Sequence, residues 1–224
     1  MVIEPVAHID NDYVEKFGIP RQSLRAPVRS KIVFTEKYRV AEALRGIEQF
    51  SHLWLLFDFS KAHGDGFSPT VRPPRLGGNR RVGVFASRSP YRPNSIGLSV
   101  VKLLAVEKNE REGNYLVVEG ADLLSGTPIY DIKPYLPGDA VADAVCGYAD
   151  DCIDYALTVD FPNELLAVIP KDKRAPLLSM LADDPRPSYQ ADGARIYHLR
   201  YGAFEVGFTV EGAVLHVCDV GKAE

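Results

Sequence analysis

Two arginines, Arg88 and Arg92, stand in the run Ser87-Arg88-Ser89-Pro90-Tyr91-Arg92-Pro93-Asn94, with a tyrosine between them and no acid nearby. Pro90 and Pro93 each fix φ at about −65° and push the residue before them out of the helical region. The two cations therefore sit on a stiff support. A guanidinium makes two parallel hydrogen bonds to a carboxylate or a phosphate, so the chemistry implied is capture of an anion. Tyr91 adds a flat face for a base. A structural corner, with its arginines paired to distant acids, is the plainer alternative.

A second constellation runs from Gly120 to Pro137, GADLLSGTPIYDIKPYLP. Ser125-Gly126-Thr127-Pro128 predicts a tight turn that presents backbone N–H and C=O groups. Such groups suit an adenine edge or an amino-acid head group. Asp131 and Lys133 lie two apart, on one face if the segment is a strand. Asp131 is then a candidate general base, and Lys133 a partner that holds its charge or binds phosphate. A surface ion pair worth under about 1 kcal/mol is the competing reading.

The elements that must position these groups belong to a chain of 224 residues, 46% of them apolar, enough for one large domain or one domain with a small appendage. Net charge is −4, which by itself argues against a nucleic-acid partner. The distribution argues the other way. Residues 1–111 hold 18 Lys/Arg against 11 Asp/Glu, and residues 112–224 hold 8 against 19. Between Val71 and Val101 stand Arg72, Arg75, Arg80, Arg81, Arg88 and Arg92 with no acid among them. Such crowding gives an acidic protein a local positive field. The start, MVIEPVAHIDND, lacks the basic flank and apolar centre of a signal peptide, and no apolar run is long enough to cross a bilayer. Cys146, Cys152 and Cys218 fit neither a disulfide framework nor a zinc spacing, and the histidines are scattered. Reduced thiols in a cytoplasmic protein without a metal are expected.

Periodicity predicts short strands at Val2–Ile9, Lys31–Phe34, His52–Phe59, Arg81–Ala86, Ile96–Val106 and Tyr115–Gly120. A helix is expected over Thr35–Arg45, with Thr35 as cap and Gly46 as stop. Many short strands with little helix predict a mainly β fold, a closed or nearly closed sheet. No G-x-G-x-x-G appears, so a Rossmann domain is excluded. The long loop Ser60–Gly78, just ahead of the arginine motif, reads as functional. After about residue 160 the pattern changes. Helices are expected at Asn163–Val168 and Arg174–Ala182, with Pro176 in a first turn. Strands follow at Arg195–Tyr201, Phe204–Val210 and Val214–Val220. The division is 1–160 for the site-bearing domain and 161–224 for a small α+β appendage.

The pairing of PPRLGGNRRVGVFASRSPYRPNSIGLS with GADLLSGTPIYDIKPYLP resembles the TsaA-like, or TrmO, family. IEPVAHI at the start, GIPRQ at 18–22 and DPRPSYQ at 184–190 extend the match over nearly the whole chain. The resemblance implies a β-barrel methyltransferase that uses S-adenosylmethionine. It implies action on N6 of threonylcarbamoyl-adenosine at position 37 of threonine tRNA, by a homodimer. It also implies cofactor contacts from Pro20, Arg21 and Gln22, the Ser60–Lys61 bend, Arg88, Leu98, and the turn Leu124, Ser125, Gly126 and Thr127. The chain departs from the family at Ser125, where Asp is common, at Ser87, where Thr is common, and at Ser60, where His is common. Ser125 keeps a hydrogen-bonding oxygen but loses a charge.

On this reading Asp131 accepts or orients the N6 proton, with Lys133 beside it. Arg88 and Arg92 grip the cofactor carboxylate, the threonyl carboxylate or a phosphate. Tyr91 or Tyr135 stacks on the exposed base. The basic stretch Arg72, Arg75, Arg80 and Arg81 meets the RNA backbone. Arg186 and Tyr189 face the tRNA or the second subunit, or else form a rigid linker. Two rivals belong to other classes: a non-catalytic tRNA- or nucleotide-binding module, and a methyltransferase of small molecules.

Overall fold

A computed structural model of the chain describes residues 2–63, 67–73, 80–152, 155–186 and 193–223. Six antiparallel strands form the first sheet: β1 (Ala7–Asp10), β2 (Arg29–Phe34), β3 (His52–Asp58), β6 (Ile96–Asn109), β7 (Gly113–Glu119) and β8 (Pro128–Pro134). Their order is β1-β2-β7-β6-β3-β8, and β8 pairs back onto β1, with Ala7 opposite Ile129. None of the six is left with an open edge. The alternation predicted for β3 is observed: Leu53, Leu55 and Phe57 are buried, while His52, Trp54 and Leu56 on the other face are half-buried. With Ile9, Ile32, Val101, Leu116, Val118 and Ile129 they fill the interior of the ring.

Because neighbours are antiparallel, chain connections alternate between the two ends of this ring. The links β1–β2 (11–28), β3–β6 (59–95) and β7–β8 (120–127) leave from one end. The links β2–β3 and β6–β7 leave from the other. Within the 59–95 link, β4 (Thr70–Val71) and β5 (Val82–Gly83) pair as a short ribbon.

The helix expected over Thr35–Arg45 is absent. The chain makes a turn at Thr35, where Tyr38 and Arg39 N–H donate to the Thr35 carbonyl, and then two 3₁₀ turns at Ala41–Leu44 and Ile47–Gln49. Gly46, at φ +87°, separates them. In this path Leu44, Tyr38, Ile47 and Phe50 pack onto the core of the ring. The strand expected over Arg81–Ala86 shrinks to β5, because Val84–Ala86 turns as 3₁₀.

The second sheet has the order β10-β11-β12-β9: β9 (Thr158–Asp160), β10 (Tyr197–Tyr201), β11 (Phe204–Glu211) and β12 (Val214–Lys222). β9 lies parallel to β12 although it precedes residue 161. Helices α1 (Asn163–Val168) and α2 (Lys171–Ala182) accompany it. Pro176 stands inside α2 rather than in its first turn, and is buried. It packs beside Leu177, Met180 and Leu181, which face Leu199, Phe208 and Leu215 of the sheet.

Tyr13, Ala26 and Val28, from the β1–β2 link of the first sheet, join this second core. That link is also tied down by polar contacts. Gly202 N–H donates to the Asp12 carbonyl at 2.8 Å, Arg200 N–H to Glu15 Oε1 at 3.0 Å, and Lys173 pairs with Asp12. Residues 11–28 therefore belong to the first sheet by sequence and to the second core by packing.

Candidate active site

The ring end that carries residues 11–28, 59–95 and 120–127 gathers most of the residues singled out from sequence. Serine hydroxyls set the path of the arginine motif. Ser87 Oγ donates to the Val84 carbonyl at 2.8 Å, Ser89 N–H donates to Ser87 Oγ at 3.3 Å, and Tyr91 N–H donates to Ser89 Oγ at 3.2 Å. Such side-chain turns are a common local alternative to regular structure. Arg92 Nη1 donates to the Ser87 carbonyl at 3.1 Å, so Arg92 braces the loop. Arg88 is exposed and Tyr91 is 60% exposed.

The turn at Leu124–Thr127 is held from beneath by the β1–β2 link. Ser125 N–H donates to the Tyr13 carbonyl, and Gly126 N–H to the Ile9 carbonyl at 2.7 Å. Asn11 contributes twice: its N–H donates to Ser125 Oγ, and its side-chain amide to the Leu123 carbonyl at 3.0 Å. Gly126 has φ +81°, and no atom lies within 4 Å of the place a Cβ would take. The outer side of the turn at Gly126 thus faces open space, while the Ser125, Gly126 and Thr127 N–H groups are bonded within the protein. Leu24 N–H donates to the Gly120 carbonyl, and Lys16 Nζ donates to the Lys61 carbonyl at 2.7 Å, which joins the Ser60–Lys61 bend to the same link.

Pro20 is buried and Gln22 exposed. Arg21 is directed at the second unit: its N–H donates to Asp183 Oδ2 and its Nη2 to the Arg186 carbonyl at 2.8 Å. Arg186 itself makes a two-pronged pair with Asp184, at 2.8 and 3.0 Å, and its side chain is 13% exposed. It serves as a packed linker. Tyr189 and Arg75 lie outside the described residues. Arg72, Arg80 and Arg81 are exposed beside the β4–β5 ribbon, and Arg81 Nη1 donates to Thr70 Oγ1 at 2.9 Å.

Leu98 lies on the outer wall of β6, 49% exposed, next to exposed Ile96. Asp131 and Lys133 also point outward, from the wall of β8 rather than from the loop end. They pair with each other at 2.8 Å and stay 47% and 61% exposed. Tyr135, at the foot of β8, packs against Trp54.

Sequence reasoning passed over the carboxylate that the loops enclose. Asp122 Oδ1 accepts the hydroxyl of buried Ser99 at 2.6 Å. Burial pushes this carboxyl above the ordinary range, while the Ser99 bond and the nearby Arg88 charge pull it back. The signal available was a serine at an inward position of β6, a polar group that needs a partner inside. Beyond the ring end, Tyr130 and His63 both engage Asp58, the latter at 2.7 Å. Among the described residues, no group of His, Cys, Asp and Glu could hold a metal, and no helix is long and apolar enough to cross a membrane.

The loops at one end of this antiparallel ring bring together exposed cations and an enclosed carboxylate, a constellation suited to a small charged ligand and built without a Rossmann sheet. Residues 8–140 match the family described as tRNA-methyltransferase O N-terminal domain, and residues 154–223 match the TrmO C-terminal domain. The chain belongs to the TrmO family. The tRNA (adenine(37)-N6)-methyltransferase of Escherichia coli is 43% identical over 195 residues, 84% of this chain and 83% of that protein. The enzyme of the same name from Eikenella corrodens is 47% identical over 165 residues, 72% of this chain and 92% of that protein. A Pyrococcus abyssi protein named a probable S-adenosyl-L-methionine-binding protein is 39% identical over 135 residues, 59% of this chain and 67% of that one. The crystal structure of TrmO from Pseudomonas aeruginosa superposes with a TM-score of 0.77 at 35% identity, covering 99% of this chain and 98% of that one.

Proposed function

We propose that this chain is an S-adenosylmethionine-dependent enzyme that methylates N6 of adenosine 37 in tRNA, and that its substrate is the threonylcarbamoyl-adenosine of threonine tRNA. The observation that carries the reading is topological. Each link bearing a family motif, at 20–22, 60–61, 82–95 and 124–127, leaves from the same end of the six-stranded ring. On this reading the ring is a β-barrel catalytic domain, the second sheet is its appendage, and the protein works in the cytoplasm.

The residues fit the cofactor. A carboxylate ligand matches the exposed Arg88 fork. An adenine edge matches the open space beside Gly126 in the Leu124–Thr127 turn. When bound, S-adenosylmethionine supplies an electrophilic methyl group. The chain's part is to align donor and acceptor and to exclude water, which is where most of the acceleration of a displacement comes from. Arg72, Arg80 and Arg81 offer an exposed cationic ribbon to the RNA backbone, and Tyr91 a ring on which an unpaired base can stack. Ile96 and Leu98, with Trp54 and Leu56 beside them, form an exposed apolar wall that we assign to a second copy of the chain in a homodimer.

The test is mass spectrometry of nucleotide 37 after incubation of threonine tRNA with protein and S-adenosylmethionine. A gain of one methyl on tRNA carrying the threonylcarbamoyl group, and none on tRNA lacking it, is the expected result. Equal methylation of both would remove the specific substrate and keep the enzyme. Binding without any methylation would leave an RNA-binding module. Affinity should fall steeply with salt, and a flat dependence would count against the arginine ribbon.

A further inference from the structure

We propose that Asp122, oriented by Ser99, accepts the proton shed by the nucleophilic nitrogen; the proposal rests on the methyltransferase reading above. The acids near the loop end, and Asp131 on the wall of β8, differ in what they already hold. Asp12 pairs with Lys173, Asp58 with His63, and Asp131 with Lys133. Asp10 takes the Ser125 hydroxyl at 3.4 Å. Asp122 makes no ion pair among the described residues. A hydroxyl from inside the ring fixes one of its oxygens and the plane of its carboxyl.

That fixed plane is what general-base catalysis requires, since the acceptor must meet the proton at hydrogen-bond range as the new bond forms. The charged and titratable groups that face Asp122 are Arg88 from the motif loop and Tyr13 from the β1–β2 link. Burial raises the carboxyl's appetite for a proton, while the Ser99 bond and the Arg88 charge pull against it; a carboxylate poised in this way is a stronger base than a solvated one. Asp131 is half-exposed, and its two oxygens are already taken by the Ile132 N–H and the Lys133 ammonium. The step balances. Transfer forms the N–C bond from the nitrogen's electron pair, the pair of the broken C–S bond stays on sulfur, and the N6 proton passes to Asp122 and then to solvent.

The experiment compares wild type, Asp122→Asn, Ser99→Ala and Asp131→Asn in single-turnover methylation of threonine tRNA across pH. S-adenosylmethionine affinity by calorimetry and a ¹³C-carboxyl titration of Asp122 without cofactor accompany it. Asp122→Asn should slow the single turnover by roughly 10²–10⁴-fold with cofactor affinity nearly kept. Ser99→Ala removes a bond that lowers the carboxyl's pKa. It should therefore move both the Asp122 titration and the acidic limb of the rate upward in pH, a shift that a merely structural role would not give. A full rate in Asp122→Asn would overturn the proposal. So would lost cofactor affinity with a full rate at saturation, which would make Asp122 a cofactor ligand. A collapse in Asp131→Asn alone would return the role to Asp131. Should wild type methylate no tRNA, the functional reading fails by itself. The titration still decides on Asp122: an ordinary carboxylate value, unmoved by Ser99→Ala, sinks it. Should Asp122→Asn melt early, Ser99→Ala carries the test.

Discussion

The two ends of the six-stranded ring are built on different principles. The far end is stoppered by Phe34 and Leu44 with Tyr38, Ile47 and Phe50 around them, and its links are short turns closed by their own backbone bonds. The near end is covered by three links whose shapes depend on one another: side chains of Asn11, Lys16 and Ser125 reach across to other links, and Asp122 reaches into the ring. The far end buries apolar groups and keeps its polar contacts, such as Lys37 with Glu4 and Asn114 with the Arg39 carbonyl, at its surface. The other positions polar groups, and its hydrogen bonds select a geometry more than they add stability. Substitutions should therefore divide: stability lost at the far end with chemistry intact, chemistry lost at the near end with stability intact.

The largest effect expected is at the far end. Leu44→Ala deletes a buried plug, and such deletions cost about 2–5 kcal/mol. The urea midpoint should fall accordingly. Single-turnover methylation, measured well below unfolding, should stay at the wild-type rate. A slowed reaction in folded Leu44→Ala would show that the two ends are coupled through the sheet.

Gly18→Ala is the next effect in size and probes the link that belongs to both cores. Gly18 has φ +87°, and an added Cβ would stand 1.8 Å from Leu199 Cδ1. Left-handed backbone and overpacking together should cost roughly 1–3 kcal/mol. Residues 11–28 must move to relieve the clash, so cofactor affinity should fall as well, unlike in Leu44→Ala. A stability loss with unchanged affinity would mean that Pro20–Gln22 are not part of the site.

The same contrast explains what could be read from sequence. Alternation along His52–Phe59 and Phe204–Val210 is a local consequence of one buried face, and both strands were legible. Thr35–Arg45 carried helical spacing as well, but of its apolar residues Tyr38 and Leu44 pack on the ring core while Val40 and Ala41 are exposed, a division that periodicity cannot show. The site was legible as motifs because Pro, Gly and Arg encode loop geometry and charge within a few residues. Asp122 was not, because its partner Ser99 is 23 positions away and meets it only once the ring has formed. Arg186 stayed open between the tRNA, the second subunit and a rigid linker, because nothing in Asp184-Pro185-Arg186 reveals the fold-back by which Asp184, at φ +53°, takes the guanidinium.

The smallest expected effect concerns that fold-back and tests whether the near end depends on charge. Burial would raise the Asp184 carboxyl, but the Arg186 fork and the Tyr155 hydroxyl outweigh it and hold the group below its ordinary value. A carboxyl whose folded pKa is depressed adds stability that is complete above its unfolded value of about 3.9 and disappears as pH falls through the folded value. Urea midpoints measured downward from about pH 5 should therefore drop more steeply in wild type than in Asp184→Asn, which has no such proton to take up. Leu44→Ala should keep the full acid slope, since it removes no titrating group. Because Arg21 donates to the Arg186 carbonyl, acid should loosen the Pro20–Gln22 segment before it opens the ring, and amide exchange at residues 20–22 should rise first. Identical slopes in wild type and Asp184→Asn would show that the 184–186 connector is held by packing alone, and the contrast between the ends would then rest on hydrogen-bond geometry without charge.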